Sequence, residues 1–347
     1  MADPKVSVVI PTYNRADLIG LALESIQRQS FRDYEIVVID DGSKDGTDAV
    51  VAAQAPEARY TWQENVGIPE AINVCVRAAR GEYIAFLGSD DALLPGALER
   101  QVAALDANPN VGMVHGAAWL MDEAGRLTEV LRPRFANGDY VRDGLAERVD
   151  LLFTNHIVAP TVMIRRQCFD EAGLFDLRLG LYEDWNMWNR VLKTWDVAYL
   201  HQPVTCYRVH GGDAGSIFHT ADPRRLERFR RLCLEEALAA MDAEVLHKHV
   251  RSAWARHYYT VALQGFDRGD AWFGRRKALR SILSDPMSPT ARASARMLAK
   301  SMVPRFVADR IRRREQPASD GAPALTALTI DAVLKRGFID QPSEVAS

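Results

Sequence analysis

Cysteine is scarce in this chain of 347 residues. There are four, at 75, 168, 206 and 233, and no two are spaced as a CxxC pair. That excludes a disulfide scaffold and a thiolate metal knuckle, and predicts four reduced, buried thiols. Long apolar runs are missing too. A membrane span needs about 18–20 consecutive apolar residues; the best stretch, Leu151 to Ile164, is shorter and is broken by Thr154, Asn155, His156 and Pro160. Charge of one sign is missing as well: 43 Lys and Arg against 46 Asp and Glu leave a net −3. A general nucleic-acid binder would show a basic excess. Neither GxGxxG nor GxxxxGK[ST] follows the first apolar run, which disfavours a dinucleotide-binding dehydrogenase and a P-loop nucleotidase. The segment Met1–Lys5 leads into a strand-like run without a signal-peptide pattern. The expectation is a cytoplasmic protein, with peripheral contact at the inner face of the membrane left open.

What is present is a folded chain, 48% hydrophobic and 26% charged, long enough for a large domain plus an appendage. Val6–Ile10 and Glu35–Ile39 are short apolar runs, read as strands buried on both faces. Between them Leu18, Ile19, Ala22, Leu23 and Ile26 repeat at helical spacing, predicting a helix over 16–29 and a strand–helix–strand crossover. A strand near 58–62, a helix over 67–79, a strand at Tyr83–Leu87 and a helix opened by Pro95 continue the pattern. Farther along, strands are expected at 111–121, 157–165 and 197–208, with a helix from about Glu183. Three helices should follow, from about 222, over 245–264 and over 270–284, before a weakly patterned tail from Gln316 with a short helix at 328–336. The predicted class is α/β, with a Rossmann-like, mostly parallel open sheet and a helical C-terminal extension.

In open α/β sheets ligands bind at the carboxyl ends of strands. Those ends carry Pro11-Thr12-Tyr13-Asn14, Asp40-Asp41 and Gly88-Ser89-Asp90-Asp91. An acidic site without a lysine cradle can balance a phosphate's charge with Mg²⁺ or Mn²⁺. Each motif alone has a plainer reading: Asp41-Gly42-Ser43 as a turn, Asp90-Asp91 as a helix cap, Glu183-Asp184 as first-turn acids, His210 as a loop residue. Trp188 reads as core, and Trp185 as core or as a platform for a sugar ring.

Taken in order, VSVVIPTYN (6–14), VVIDDGSKDGT (37–47), ENVG (64–67), RGEYIAFLGSDD (80–91), GLFD (173–176), YEDWNMWNR (182–190) and YRVHGG (207–212) resemble the family 2 inverting glycosyltransferases of GT-A fold, from Val6 to about Ser216. The resemblance implies a catalytic domain over 1–220, with nucleotide-sugar binding in 1–110 and the acceptor side and catalytic base in 111–220, then a helical extension over 221–315 and a loose tail over 316–347. It implies that Pro11, Thr12, Tyr13, Asp40 and Asp41 surround the base and ribose of a nucleotide-sugar donor. Asn65 and Gly67 would line the donor loop. Asp90 would touch the ribose and, with Asp91 and His210, hold a divalent cation, Mn²⁺ or Mg²⁺. Asp184 would be the catalytic base. The implied acceptor is a glycan or lipid-linked hydroxyl, in bacterial polysaccharide or cell-envelope assembly. One departure stands out: Gly88 occupies a position where many relatives carry aspartate. It motivates an alternative, a nucleotide- or glycan-binding relative without catalysis. A sugar nucleotidyltransferase is the other alternative, but its glycine-rich basic loop after the first strand is absent.

Residues 264–315 hold 13 basic and five acidic residues, +8, which leaves −11 for the remainder. Val303, Phe306, Val307 and Ile311 interleave with arginines at helical spacing. This segment reads as a basic helix on an anionic membrane surface or as a solvated face packed on the protein.

Overall fold

The computed structural model describes residues 3–210, 221–302, 329, 330 and 334. They fall into two compact units, the first within 1–151, 155–220 and 326–347, the second within 152–154 and 221–325.

The first unit runs β1 (Val6–Thr12), α1 (Ile19–Gln27), β2 (Tyr34–Asp40), α2 (Thr47–Gln54), β3 (Arg59–Trp62), α3 (Ile68–Ala78), β4 (Tyr83–Phe86), β5 (Ala92–Leu93), α4 (Ala97–Ala107), β6 (Val111–Met121), β7 (Leu127–Leu131), β8 (Tyr140–Arg142), α5 (Gly144–Leu151), β9 (Met163–Arg165), α6 (Cys168–Ala172), α7 (Glu183–Val191) and β10 (Asp196–Arg208). All ten strands form one sheet in the order β3-β2-β1-β4-β9-β6-β10-β5, with β7 beside β6 and β8 beside β10. The first four strands are parallel, as the crossover pattern predicts. β9 runs antiparallel to both β4 and β6 and joins them to the rest.

The physical reason for the parallel half is apolar burial on both faces. Val6, Val8, Val9 and Ile10 of β1 and Ile36–Ile39 of β2 are all buried, and on α1 Ile19, Ala22, Leu23 and Ile26 form one apolar stripe. Each Val, Leu or Ile among them contributes about 1.5–3 kcal/mol on leaving water. The polar strand tips Thr12, Asp40 and Asp91 therefore project from a rigid base.

The elements differ from expectation in several places. α1 begins at Ile19 because the carbonyl of Arg15 is taken by a turn with Leu18 and Ile19. α4 begins after Pro95, at Ala97, because Gly96 has φ +70°, a conformation that ends rather than opens a helix. The expected strand over 157–165 shrinks to β9: Pro160 sits in a 3₁₀ turn, Ala159–Thr161, and lacks the N–H a ladder requires. All four cysteines are free and buried. Trp185 and Trp188 are both buried, and Trp185 donates its indole N–H to the carbonyl of Leu151 at 2.9 Å, so it is core rather than a sugar platform.

The second unit contains α8 (Pro223–Ala239), α9 (Ala243–Asp267), α10 (Ala271–Ser284) and α11 (Pro289–Met302). The first three match the individually expected helices, and α11 is a fourth helix within the span expected to be helical. Gly211, Gly212, residues 303–315 with Val303, Phe306, Val307 and Ile311, and the tail over 316–347 apart from three residues lie outside the described residues. Of those three, Ile330 and Leu334 are buried with Ala92, Leu94, Trp119, Met121 and Cys206.

Candidate active site

The loop after β2 is organised by its two acids. Asp40 is buried; its Oδ1 accepts from the Ser43 amide at 2.7 Å and its Oδ2 from the Tyr60 hydroxyl at 2.6 Å. Burial, and then that carboxylate, push the Tyr60 phenol up. Asp41 gathers the 63–67 loop: its Oδ1 accepts from Gln63 Nε2 at 2.8 Å and from the Val66 amide at 3.0 Å, and its Oδ2 from the Gly67 amide at 2.9 Å. Asn65 Nδ2 donates to the Asp41 carbonyl at 2.8 Å. Gly67, with φ +92°, is the residue type that can present its amide there. The Asp41 amide donates to the Thr12 carbonyl at 2.8 Å, which binds this loop to the end of β1. Tyr13, at that end, is 49% exposed and free to stack on a flat ring. Asp40, Asp41, Asn65 and Gly67 thus form one connected loop cluster, with both carboxylates already holding backbone.

The 88–91 turn is held by a residue that the motifs did not single out. The amide of Arg208 donates to Asp91 Oδ1 at 2.8 Å, its Nε to the Asp90 carbonyl at 2.9 Å, and its Nη1 to the carbonyls of Asp122 and Glu123 at 3.0 and 3.1 Å. Asp90 faces the other way: its Oδ2 lies 2.7 Å from His210 Nε2 and 3.9 Å from Arg15 Nε. Asp91 is buried, and burial and then the neighbouring Asp90 raise its carboxyl well above the ordinary range. Gly88 has a steric reason to be glycine, because a Cβ there would stand 2.4 Å from Asp91 Oδ2.

Among the described residues no three His, Cys, Asp or Glu side chains form a group that could hold a metal ion by themselves. Asp90 and His210 are brought together, and Asp91 is committed to Arg208. Two protein donors nevertheless suit Mg²⁺ or Mn²⁺, which is commonly held by one or two side chains and completed by phosphate oxygens and water. The hard carboxylate and the imidazole of this pair fit such a cation.

Asp184 lies at the start of α7 and is half-buried. Its Oδ1 accepts from the Trp185 amide and its Oδ2 from Asn155 Nδ2 at 3.1 Å. Burial outweighs both hydrogen bonds and raises its carboxyl from 3.8 to about 6. Glu183 is buried more deeply, its Oε2 has no hydrogen-bond partner, and burial followed by the Asp184 charge raises it well above its usual value. Burial and the like charge thus disfavour ionising both acids together, and Glu183, the more deeply buried, is pushed up with Asp184.

A cavity of about 240 Å³ connects these parts, lined by Pro11, Gly88, Asp91, Glu183, Asp184 and Trp188 among others. The first strand end, the 88–91 turn and the start of α7 therefore share one space. Thr12, Tyr13, Asp40, Asp41, Asn65, Gly67, Asp90 and His210 are not among its lining. The residues missed by sequence reasoning are Asn155 and Arg208. Arg208 lies inside a quoted motif but reads as an ordinary strand residue, and Asn155 carries no local signal.

The family model for glycosyl transferase family 2 matches residues 7–171. A PGL/p-HBAD biosynthesis glycosyltransferase of Mycobacterium tuberculosis is 31% identical over 243 residues, which cover 67% of this chain and 88% of that protein. An uncharacterized glycosyltransferase of Rickettsia typhi is 29% identical over 208 residues, 60% of this chain. The chain spans 64% of that relative's length, just under two thirds. Among solved structures, Staphylococcus aureus TarS 1-349 in complex with UDP-GlcNAc superposes with a TM-score of 0.63 at 20% identity, covering 91% of this chain and 94% of TarS 1-349. The mannosyltransferase PcManGT of Pyrobaculum calidifontis, in complex with GDP-Man and Mn²⁺, gives 0.52 at 19%, covering 90% and 85%.

Proposed function

The chain belongs to glycosyl transferase family 2, and on that premise we propose that it is an inverting hexosyltransferase that moves a sugar from a nucleoside-diphosphate donor, a UDP-sugar, to an acceptor hydroxyl. Its fold is of the GT-A type. The observation that carries this reading is the single cavity shared by Asp91, at the nucleotide side, and Asp184, at the start of α7. The UDP-GlcNAc complex of TarS supports a UDP-sugar as donor. The name of the mycobacterial relative supports an acceptor in glycolipid assembly, a lipid-linked or glycan hydroxyl. We add contact with a membrane surface through residues 264–315; no helix of the described residues is long and apolar enough to cross a membrane.

The acceptor hydroxyl attacks the anomeric carbon from the face opposite the diphosphate. The new C–O bond forms as the bond from the anomeric carbon to the diphosphate oxygen breaks, which inverts the centre. Asp184 accepts the hydroxyl proton as the bond forms. A carboxylate held near 6 rather than 3.8 is the stronger base. Asn155 Nδ2 and the Trp185 amide fix its two oxygens, and burial beside Asp184 disfavours a second negative charge on Glu183. Asp90 and His210 would hold a divalent cation that supplies charge neutralisation for the leaving diphosphate. Tyr13 would stack on the base, with the Asp40–Asp41 loop around the ribose. Gly88 makes room for the Asp91 side chain.

The test is thermal shift of the full chain against nucleoside diphosphates and nucleotide sugars, with and without Mn²⁺, followed by transfer assays. Mn²⁺-dependent stabilisation by UDP and a UDP-sugar is expected. No response to any nucleotide would overturn the donor reading, and unchanged transfer by Asp184→Asn would remove Asp184 from the role of base.

A further inference from the structure

The inner face of α10 is fixed by packing within its own unit. Phe273, Gly274, Lys277, Ala278 and Ser281 are buried. Lys277 pairs with Glu227, Ser281 Oγ donates to the Ala255 carbonyl at 2.7 Å, and Gly274 sits so close to Phe266 that a Cβ would lie 3.0 Å from its ring. The outward face is therefore set as well. It consists of Trp272, Arg275, Arg276, Leu279, Arg280 and Leu283, all exposed. At 100° per residue Trp272, Arg276, Leu279 and Leu283 form one stripe, with Arg275 on one side and Arg280 on the other. Trp272 is 62% exposed and Leu283 67%, and Met287, just past the helix, 84%. Arg276 stacks over the Trp272 ring at 4.5 Å.

No acid faces outward from this helix. Between Arg268 and Met302 there are eight basic residues and two acidic ones, Asp270 and Asp285. Asp270 caps α10 through the Phe273 amide and pairs with Arg224, and Asp285 accepts from Ser252. The stripe thus combines an indole and two leucines with three guanidinium groups that have no acid partner among the described residues, that of Arg275 donating to the Ser301 hydroxyl and carbonyl.

We propose that this outward face of α10 docks on an anionic lipid bilayer, with Trp272, Leu279 and Leu283 entering the headgroup boundary, Arg276 and Arg280 meeting lipid phosphates, and Arg275, held by Ser301, adding positive charge beside them. Tryptophan favours that boundary, arginine stems lie along apolar surface while their heads reach phosphate, and an amphipathic helix of this kind lies in the membrane plane. Self-association through the same face would set six arginines against one another with no acid to pair them, which disfavours a second copy. The proposal deepens the acceptor reading by naming the surface that would bring the chain to a lipid-linked hydroxyl, but it is read by binding alone.

The test is flotation of the full chain with phosphatidylcholine vesicles and with vesicles containing one third phosphatidylglycerol. The wild type should float with the anionic vesicles only, and salt should weaken the binding. The triple variant Trp272→Ser, Leu279→Ser, Leu283→Ser replaces exposed side chains, so it should keep its thermal midpoint while losing at least tenfold in partitioning. Arg275→Gln, Arg276→Gln, Arg280→Gln should lose the salt-sensitive part. Transfer to a soluble acceptor should be unchanged in both, so failure of the docking and failure of the transferase reading are told apart. Three outcomes overturn the proposal: equal flotation of the triple serine variant, equal binding to neutral vesicles, or a vesicle-free wild-type dimer that the serine variant dissolves. If the serine variant floats normally while a chain ending at Met302 does not, the contact belongs to the following residues instead.

Discussion

Replacing Asp184 by asparagine should remove activity and stabilise the first unit, and the stabilisation should depend on pH in a defined way. A carboxyl raised from 3.8 to about 6 binds its proton more tightly in the folded protein than in the unfolded chain. Ionising it in the folded state therefore costs free energy that is absent below about pH 4, grows between 4 and 6, and is complete above 6. That rise corresponds to about 3 kcal/mol. Asp184 is half-buried, so solvent makes that figure an upper bound. Asparagine carries no charge and keeps an oxygen for the Trp185 amide, so the variant should gain up to this amount at pH 7–8 and nothing at pH 4. Denaturant midpoints of the two proteins across pH 4–8 would read the difference. In parallel, wild-type kcat/KM should fall about tenfold per unit as pH drops below 6, because that limb reports the base in the free enzyme, and the variant should lose about 10²–10⁴. A stability gap that ignores pH, or a wild-type rate that stays flat from pH 7 to 5, would refute the reasoning.

Asn155→Ala deletes the donor to Asp184 Oδ2. A hydrogen bond to a charged group is worth about 1.5–3 kcal/mol, so kcat should fall by one to two orders of magnitude. Donor KM should hold and the acidic limb should move to higher pH. Gly88→Ala places a methyl group against Asp91 Oδ2 and should cost about 1–3 kcal/mol of stability together with donor affinity, read by thermal shift with UDP. His210→Ala and Asp90→Asn separate the pair that fits a cation, so each should raise the Mn²⁺ concentration needed for half-maximal UDP-dependent stabilisation while leaving the metal-free thermal midpoint close to wild type.

The sequence disclosed most where local pattern and tertiary role coincide. Val6–Ile10 and Glu35–Ile39 are apolar on both faces because their strands are covered on both faces, so composition alone identifies them. Their tips, Thr12 and Asp40, are polar because the core stops there. The antiparallel half was less legible: β5 has two residues, and Pro160 cuts a run that otherwise reads as strand. α5 hides its buried side because that side is polar. Glu147 is fully buried, its charge met by His156 Nε2 at 2.6 Å and Arg142 Nη1 at 2.9 Å, and a hydrophobic periodicity cannot register a buried charge whose partners lie elsewhere.

The same limit explains what was missed in the site. The motifs named Asp90, Asp91, Asp184 and His210, because the strings that carry the resemblance contain them. The groups that aim them come from far along the chain: Arg208 reaches Asp91 across 117 residues. Asn155 reaches Asp184 from an irregular segment, 29 residues away. A positioning residue needs only one donor in the right place, so many sequences can supply it and no string marks it. Gly88 shows the converse. In the sequence it reads as a missing acid. In the structure the space a side chain would fill is already occupied by Asp91 Oδ2, so an added Cβ would displace a carboxylate that Arg208 holds. Whether a side chain can stand at position 88 is therefore a question of volume, and only the fold answers it.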